Sequence, residues 1–272
     1  MPTLGENKTI WNDTYDWHRA GEEWSDGWGT SWMQWHGTIL PRIIRFLPAN
    51  NILEIAPGYG RWTQYLIGVC DNITIVDLSE KCIKECKKRF LQCSHIRYCI
   101  NDGKSLDMVQ SDSIDFIFSF DSLVHVEDNI ILNYIEQLPR ILKKNGVAFI
   151  HHSNLGMYEN SLKVFDVIGK TPAIMKALIR MKIVDDLSIQ WRARSMTAEK
   201  MKNYTNQNGL ECIAQELITW NTKYTLIDCI STIVRKESML MRPGIMYKNY
   251  KFMDEAMYLK NLSRVYDNKP NN

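Results

Sequence analysis

The stretch Ile52-Leu53-Glu54-Ile55-Ala56-Pro57-Gly58-Tyr59-Gly60 decides how the rest of the chain is read. Its first five residues are apolar except Glu54, which fits a strand buried on both faces. The run ends in a turn with glycines at 58 and 60, where a Cβ would keep the backbone from approaching a ligand closely. A turn at the carboxyl end of the first strand lies where open α/β sheets bind ligands. Asp77 follows Glu54 by 23 residues and closes a second predicted strand, Ile73–Val76. That position suits a carboxylate accepting both ribose hydroxyls of a nucleoside. Nicotinamide enzymes place the same parts in the same places, so these features alone do not choose a cofactor.

Outward from this unit the pattern repeats. An apolar helix, Ile39–Leu47, precedes it and ends at Pro48. The turn leads into a helix from Arg61 to about Val69, and Ser79 reads as the N-cap of a helix running to about Phe90. A third strand, Ile96–Ile100, runs into Asn101-Asp102-Gly103. A fourth, Ile114–Phe118, leads to Phe120-Asp121-Ser122. A long helix over about Asn129–Leu142 contains Pro139, which should kink or break it, and Gly146 precedes a fifth strand, Val147–Ile150.

Strands alternating with helices, without polar alternation along the strands, indicate a parallel sheet covered on both faces. After Ser153 the pattern changes. Residues at about 154–196 read as a helical insertion, with Met175 and Met181 packing it onto the domain. A helix at Ala198–Asn208 stops at Gly209, and Leu210–Thr219 and Leu226–Arg235 follow as two strands. The link between them is so short that they must be antiparallel. The expected fold is α/β, a seven-stranded, mostly parallel sheet with a terminal antiparallel strand pair and helices on both faces. Around the main domain at 36–240 lie an N-terminal cap at 1–35 and a C-terminal tail at 241–272 with a helix near Met253–Leu262.

The cap holds six of the nine tryptophans, Trp11, Trp17, Trp24, Trp28, Trp32 and Trp35, interleaved with Gly21, Gly27 and Gly29. Glycine at that density argues against long regular elements, so the rings either pack on the main domain or form a lid over a ligand. A charged fraction of 24% and a net charge of +2, spread along the chain, lack the concentrated basic patch of a nucleic-acid binder. No apolar run approaches the length of a membrane span, and the polar start lacks a signal-peptide layout, so a cytoplasmic location is expected. The seven cysteines form no C-x-x-C pair. The spacing of Cys82, Cys86, Cys93 and Cys99 fits no common zinc module, so they are expected to be reduced thiols and no metal is expected.

With Glu54-Ile55-Ala56-Pro57-Gly58-Tyr59-Gly60, Asp77, Asp102-Gly103, Phe120-Asp121-Ser122 and the final antiparallel pair, the chain resembles the class I S-adenosylmethionine-dependent methyltransferases. Ala56 stands where that family's first motif usually has a glycine. The resemblance covers about residues 36–152 and 197–235. It implies S-adenosylmethionine as cofactor, with Asp77 on the ribose and Asp102 near adenine. Glu54, Gly58, Gly60 and Asp121 would surround the methionine end, and Ala56, Leu78, Gly103 and Phe120 would complete the contacts. The stretches Gln34–Arg42, Phe120–Val126 and Phe149–Gly156 further resemble methyltransferases of bacterial surface-polysaccharide pathways. That likeness implies O-methylation of a sugar hydroxyl in polysaccharide or capsule biosynthesis. The alternatives are a phosphate or phosphoramidate group linked to a nucleotide or sugar, and RNA or another small molecule.

A hydroxyl acceptor gains from a general base, and His125, His151 and His152 all follow strands at the ligand-binding edge. Strand alternation lets only one of His151 and His152 face the site, and His152 and His125 are the expected catalytic residues. Asp121 with two histidines offers the alternative of a divalent metal. Arg192 and Arg194, beside Trp191, are the expected substrate-binding pair, able to clamp a phosphate. Three other classes compete: a nucleic-acid methyltransferase, a nicotinamide oxidoreductase and a non-catalytic interaction module. Amino-group methylation of nucleic acids commonly uses an Asn-Pro-Pro-aromatic run where this chain has Phe120-Asp121-Ser122-Leu123.

Overall fold

A computed structural model describes residues 3–160, 162–163, 180 and 191–266. Thr3 opens α1 (Leu4–Thr9) with a capping box: the Thr3 hydroxyl accepts the Glu6 N–H, and the Glu6 carboxylate accepts the Thr3 N–H. Short turns, Ile10–Thr14 and Glu22–Ser25, connect α1 to α2 (Ser31–Gln34), which Thr30 caps. Helical backbone then continues through Trp35–Ile39 into α3 (Leu40–Ile43). The helix expected from Ile39 therefore begins at Ser31, inside the tryptophan-rich segment.

The sheet is built from β1 (Ala49–Ile55), β2 (Cys70–Asp77), β3 (Ile96–Ile100), β4 (Ile114–Ser119), β5 (Leu142–Ser153), β6 (Leu210–Ile218), β7 (Asp228–Arg235) and β8 (Ile245–Asn249). Helices α4 (Thr63–Leu66), α5 (Glu80–Arg89), α6 (Asp128–Ile141), α7 (Ala198–Gln207) and α8 (Phe252–Val265) intervene or follow. The strand order is β3-β2-β1-β4-β5-β7-β6-β8. β1 through β5 run parallel, whereas β7 is antiparallel to both β5 and β6. The order reverses between β1 and β4, so a crevice opens at their carboxyl ends.

Seven strands were expected, and among the described residues the sheet has eight. Ile245–Asn249 pairs parallel with β6 at the outer edge, and four of its five residues are exposed. Ile245-Met246-Tyr247 is apolar but runs straight into Lys248 and Asn249, too short a run to mark a strand, so the stretch read as a polar and aromatic tail. Beyond it α8 buries Phe252 and Ala256, and Glu255 meets Arg42 at 3.2 Å. The stretch from 241 is thus attached to the main sheet. Pro139 does not break α6, which ends two residues later at Ile141. Proline removes the N–H that would reach the Ile135 carbonyl, but with only two helical residues after it the disruption stays within the last turn. The expected insertion and Met175 and Met181 lie largely outside the described residues. Its described ends are a turn at Leu155–Tyr158 and an irregular segment at 191–197.

Two apolar layers cover the sheet. On one face Ile52, Phe116, Phe118 and Phe149 pack under Trp28, Trp35, Trp62 and Trp220. On the other, Leu53, Ile55, Ile117, Ala148 and Ile150 meet Ile131, Ile135, Leu138 and Ile141 of α6. The period of two along each strand sorts these residues, and the period near 3.6 along α6 supplies the matching stripe.

Candidate active site

The cleft at the switch point holds about 950 Å³ of space, part of it open to solvent. Its floor comes from Ala56, Pro57, Gly58 and Tyr59 after β1, and from Val76, Asp77 and Leu78 at the end of β2. Gly103 lies beyond β3, and Phe120, Asp121, Ser122 and His125 lie beyond β4. Leu4, Asn7, Trp11, Trp17, Gly21 and Trp24 of the N-terminal segment cover it.

Ala56 and Gly58 both have positive φ, 58° in each case, so the turn folds back on itself. The Gly58 N–H donates to Asp77 Oδ2 at 3.2 Å, and the Ser79 N–H donates to Oδ1 at 2.8 Å. Burial pushes the Asp77 carboxyl up to about 6, against the pull of those N–H groups. A Cβ on Gly58 would come within 2.8 Å of the Trp17 ring, which stacks on Tyr59 with centroids 4.4 Å apart. Asn12 binds the Ser79 hydroxyl and the Lys81 N–H, and Leu4 sits against Gly103. The tryptophans divide their work. Trp28 and Trp35 are core, Trp11, Trp17 and Trp24 wall the cleft, and Trp32 is exposed.

Several expected residues do not reach the cleft. Glu54 is buried beneath the turn and accepts the Thr63 hydroxyl at 2.6 Å, and burial pushes its carboxyl up to about 8. The period of β1 turns its side chain toward the core, away from a ligand. Gly60 faces the other way too: a Cβ there would strike Phe90 at 2.5 Å, so this glycine permits packing on α5. Asp102 is exposed, and its Oδ1 accepts the N–H groups of Lys104 and Ser105, closing a turn. Its neighbour Gly103 is the residue at the cleft.

The histidines also sort differently. His152 is fully buried, with Nδ1 on its neighbour's carbonyl, Ser153 O, at 2.9 Å and Nε2 on the Ser231 hydroxyl at 2.9 Å. Both ring nitrogens are occupied, so it has no lone pair for a substrate. His151 shares the aromatic face with Phe149, and its Nδ1 accepts the backbone N–H of Asp121 at 3.1 Å. His125 lines the cleft beside Trp11, with ring centroids 5.5 Å apart, and its Nδ1 binds the Trp191 carbonyl. Burial first, then the nearby charge of Arg192, depresses the His125 imidazole to about 4.

Arg192 and Arg194 form no paired clamp. Arg192 is buried and grips Asp228 through Nε and Nη2 at 2.9–3.1 Å, while Arg194 is exposed. Burial raises and the Arg192 charge lowers the Asp228 carboxyl, which settles at about 2. The cation at the cleft is instead Arg61, directly after Gly60. It donates to Asp121 Oδ2 at 2.8 Å and lies over the Trp62 ring at 4.4 Å. Trp62 also lines the cleft, and its indole N–H is buried without an acceptor among the described residues. The position of Arg61 at the exit of the glycine turn was the signal that could have found it. Among the described residues no group of three or more His, Cys, Asp or Glu side chains is placed to hold a metal ion, and no helix is long and apolar enough to cross a membrane.

The protein-family model described as a methyltransferase domain matches residues 52–146, from β1 to the start of β5. This part of the chain thus matches a methyltransferase domain, and the sheet around it has the fold of solved methyltransferases. A structure of an S-adenosylmethionine-dependent methyltransferase from Clostridium acetobutylicum superposes with a TM-score of 0.52 at 15% identity, over 81% of this chain and 92% of that one. N-methyltransferase NodS from Bradyrhizobium japonicum, solved with S-adenosyl-L-homocysteine, gives a TM-score of 0.51 at 15% identity, over 75% and 87%. Phosphoethanolamine N-methyltransferase 1 of Zea mays is 30% identical over 117 residues, 42% of this chain. The match spans 23% of that relative's length. NodS is solved with S-adenosyl-L-homocysteine, and the residues of this cleft fit a cofactor of that kind. Asp77 closes β2 with a buried carboxylate at the cleft floor, and Gly58 lets the turn pass close beneath the Trp17 ring that walls the cleft.

Proposed function

We propose that this methyltransferase domain methylates a hydroxyl of a small acceptor, a sugar in a surface-polysaccharide pathway, with His125 as the base. The observation that carries this reading is the state of the His125 ring. A carbonyl oxygen can only accept, so the contact with Trp191 keeps the proton on Nδ1 and leaves the Nε2 lone pair available. Nε2 has no hydrogen-bond partner among the described residues. With its pKa held at about 4, the ring is neutral at pH 7 and free to receive a proton.

When bound, S-adenosylmethionine supplies an electrophilic methyl group on a sulfonium. Asp77, at the β2 end, holds the ribose, and the glycine turn admits the backbone to the ligand. Asp121 and Arg61 provide opposite charges beside Phe120 for the zwitterionic methionine end. Trp11, Trp17 and Trp24 exclude water and restrict the acceptor's approach, which aligns the reacting atoms. His125 then takes the proton that the hydroxyl oxygen sheds as it becomes strongly acidic on gaining a methyl group. A weak base suffices for that step, whereas it would deprotonate an ammonium poorly. An anionic phosphate or phosphoramidate oxygen as nucleophile would draw on Arg192, which is already committed to Asp228.

A second reading, methylation of an amine on a phosphate-linked small molecule, is favoured by the name of the Zea mays relative. Both are tested by incubating the full chain and His125→Ala with methyl-labelled cofactor and a panel of nucleotide-activated sugars, sugar phosphates and phosphoethanolamine. Label on a sugar oxygen, lost in His125→Ala, supports the hydroxyl reading. Label on phosphoethanolamine alone, at equal rates in both proteins, overturns it.

A further inference from the structure

Trp191 and Arg192, side by side in the chain, reach two of the polar groups that line the cleft, His125 and Asp121. The Trp191 carbonyl accepts from His125 Nδ1. Its neighbour Arg192 binds Asp228 through a two-pronged contact, with Nε at 2.9 Å from Oδ1 and Nη2 at 2.9 Å from Oδ2. Asp228 Oδ2 lies 3.3 Å from His151 Nε2, and His151 Nδ1 accepts the Asp121 N–H at 3.1 Å. Arg192 Nη2 is 4.0 Å from Asp121 Oδ1, which closes the circuit. No side chain in it is more than 5% exposed.

Two features indicate that this circuit sets geometry. Asp121 has φ 65°, a left-handed conformation that a non-glycine residue keeps only where its surroundings hold it. Its N–H on His151 and its carboxylate on Arg61 are the two holds. A buried ion pair, moreover, returns little net stability, because desolvation offsets most of the attraction. What the planar, forked guanidinium supplies at Asp228 is a fixed orientation. That orientation fixes the backbone of residue 192, and so the direction of the carbonyl one residue earlier.

We infer that Arg192 and Asp228 are a positioning clamp: the pair seats the Trp191 carbonyl against His125 and, through His151, the backbone of Asp121. The functional meaning of the clamp rests on His125 being the base, but its geometry can be read without turnover. Neither Arg192 nor Asp228 needs to touch a substrate for this role.

The test compares wild type, Arg192→Lys and Arg192→Gln as full chains. Lysine keeps the charge and loses the fork; glutamine loses both. Nitrogen-15 NMR reads the His125 ring tautomer and the Asp121 amide, and calorimetry reads S-adenosylhomocysteine affinity. In wild type His125 should be a single Nδ1–H tautomer. In Arg192→Gln it should become a mixture, the Asp121 amide should shift, and affinity should fall roughly tenfold or more, as when a supporting partner of a site residue is lost. Arg192→Lys should recover part of each signal, and it carries the test if the glutamine variant does not fold. A folded variant in which His125 stays a single Nδ1–H tautomer and affinity changes less than twofold overturns the clamp. Loss of stability alone, with those signals unchanged, also overturns it. The base reading fails separately, if His125→Ala methylates at the wild-type rate.

Discussion

Replacing Glu54 by glutamine should stabilise the chain at neutral pH and leave cofactor affinity nearly unchanged. The carboxyl is buried in β1 with the Thr63 hydroxyl as its partner, and burial raises its pKa from the ordinary 4.5 to about 8. A raised carboxyl pKa makes folding favour the protonated form. Below pH 4.5 the folded and unfolded chains are both protonated there, and no penalty exists. Between 4.5 and 8 the unfolded chain ionises and the folded one does not, so the penalty grows with pH by about 1.4 kcal/mol per unit; above 8 it is constant. At pH 7 it amounts to roughly 3 kcal/mol, which glutamine removes while keeping the shape and the Thr63 contact. Urea unfolding of both proteins at several pH values between 4.5 and 8 measures the difference directly. The stabilities should converge at the acid end and separate in favour of Glu54→Gln toward pH 8. Parallel curves, or a less stable variant at pH 7, would refute the assignment of a neutral, inward-facing Glu54. A large loss of S-adenosylhomocysteine affinity would refute its placement outside the cleft.

Other outcomes follow from the same geometry. His125→Ala should lower turnover roughly 100-fold or more while His152→Ala, which removes a buried hydrogen-bonded ring, should act on stability, as denaturation and initial rates on the identified acceptor will show; equal rates for His125→Ala and wild type would dispose of the base. Gly58→Ala places a Cβ at φ 58° and 2.8 Å from Trp17, so it should cost about 1–2 kcal/mol and displace that ring from Tyr59. An unchanged urea midpoint and tryptophan emission would contradict this. Saturating S-adenosylhomocysteine should slow limited proteolysis within residues 3–35, since Asn12, Trp11 and Trp17 close over the cleft; identical cleavage with and without ligand would count against a lid.

The parallel half of the sheet was legible because its strands are apolar on both faces and their caps are explicit: Ser79 begins α5 where a serine N-cap should, and Gly209, at φ 72°, follows α7. β8 was not legible, because its short apolar run goes straight into Lys248 and Asn249. At the site, alternation puts His151 and His152 on opposite faces of the sheet, but sequence does not reveal which of them lies toward Phe120. Phe120 settles it, packing on His151 with ring centroids 4.6 Å apart. Arg192 read as half of a phosphate clamp because its partner, Asp228, is 36 residues away. Long-range pairing of that kind has no local signature. Asp102 shows the converse limit, for an aspartate before a glycine serves a turn as readily as a ligand.

The central claim is that the cleft between β1 and β4 binds S-adenosylmethionine through Asp77. Calorimetric titration of S-adenosylhomocysteine into the full chain, and into folded Asp77→Ala, tests it most directly. One site per chain is expected in wild type and no measurable binding in the variant, since charge-assisted hydrogen bonds to the ribose contribute about 1.5–3 kcal/mol each. Absence of binding to folded wild type, or equal affinity in Asp77→Ala, would contradict the account.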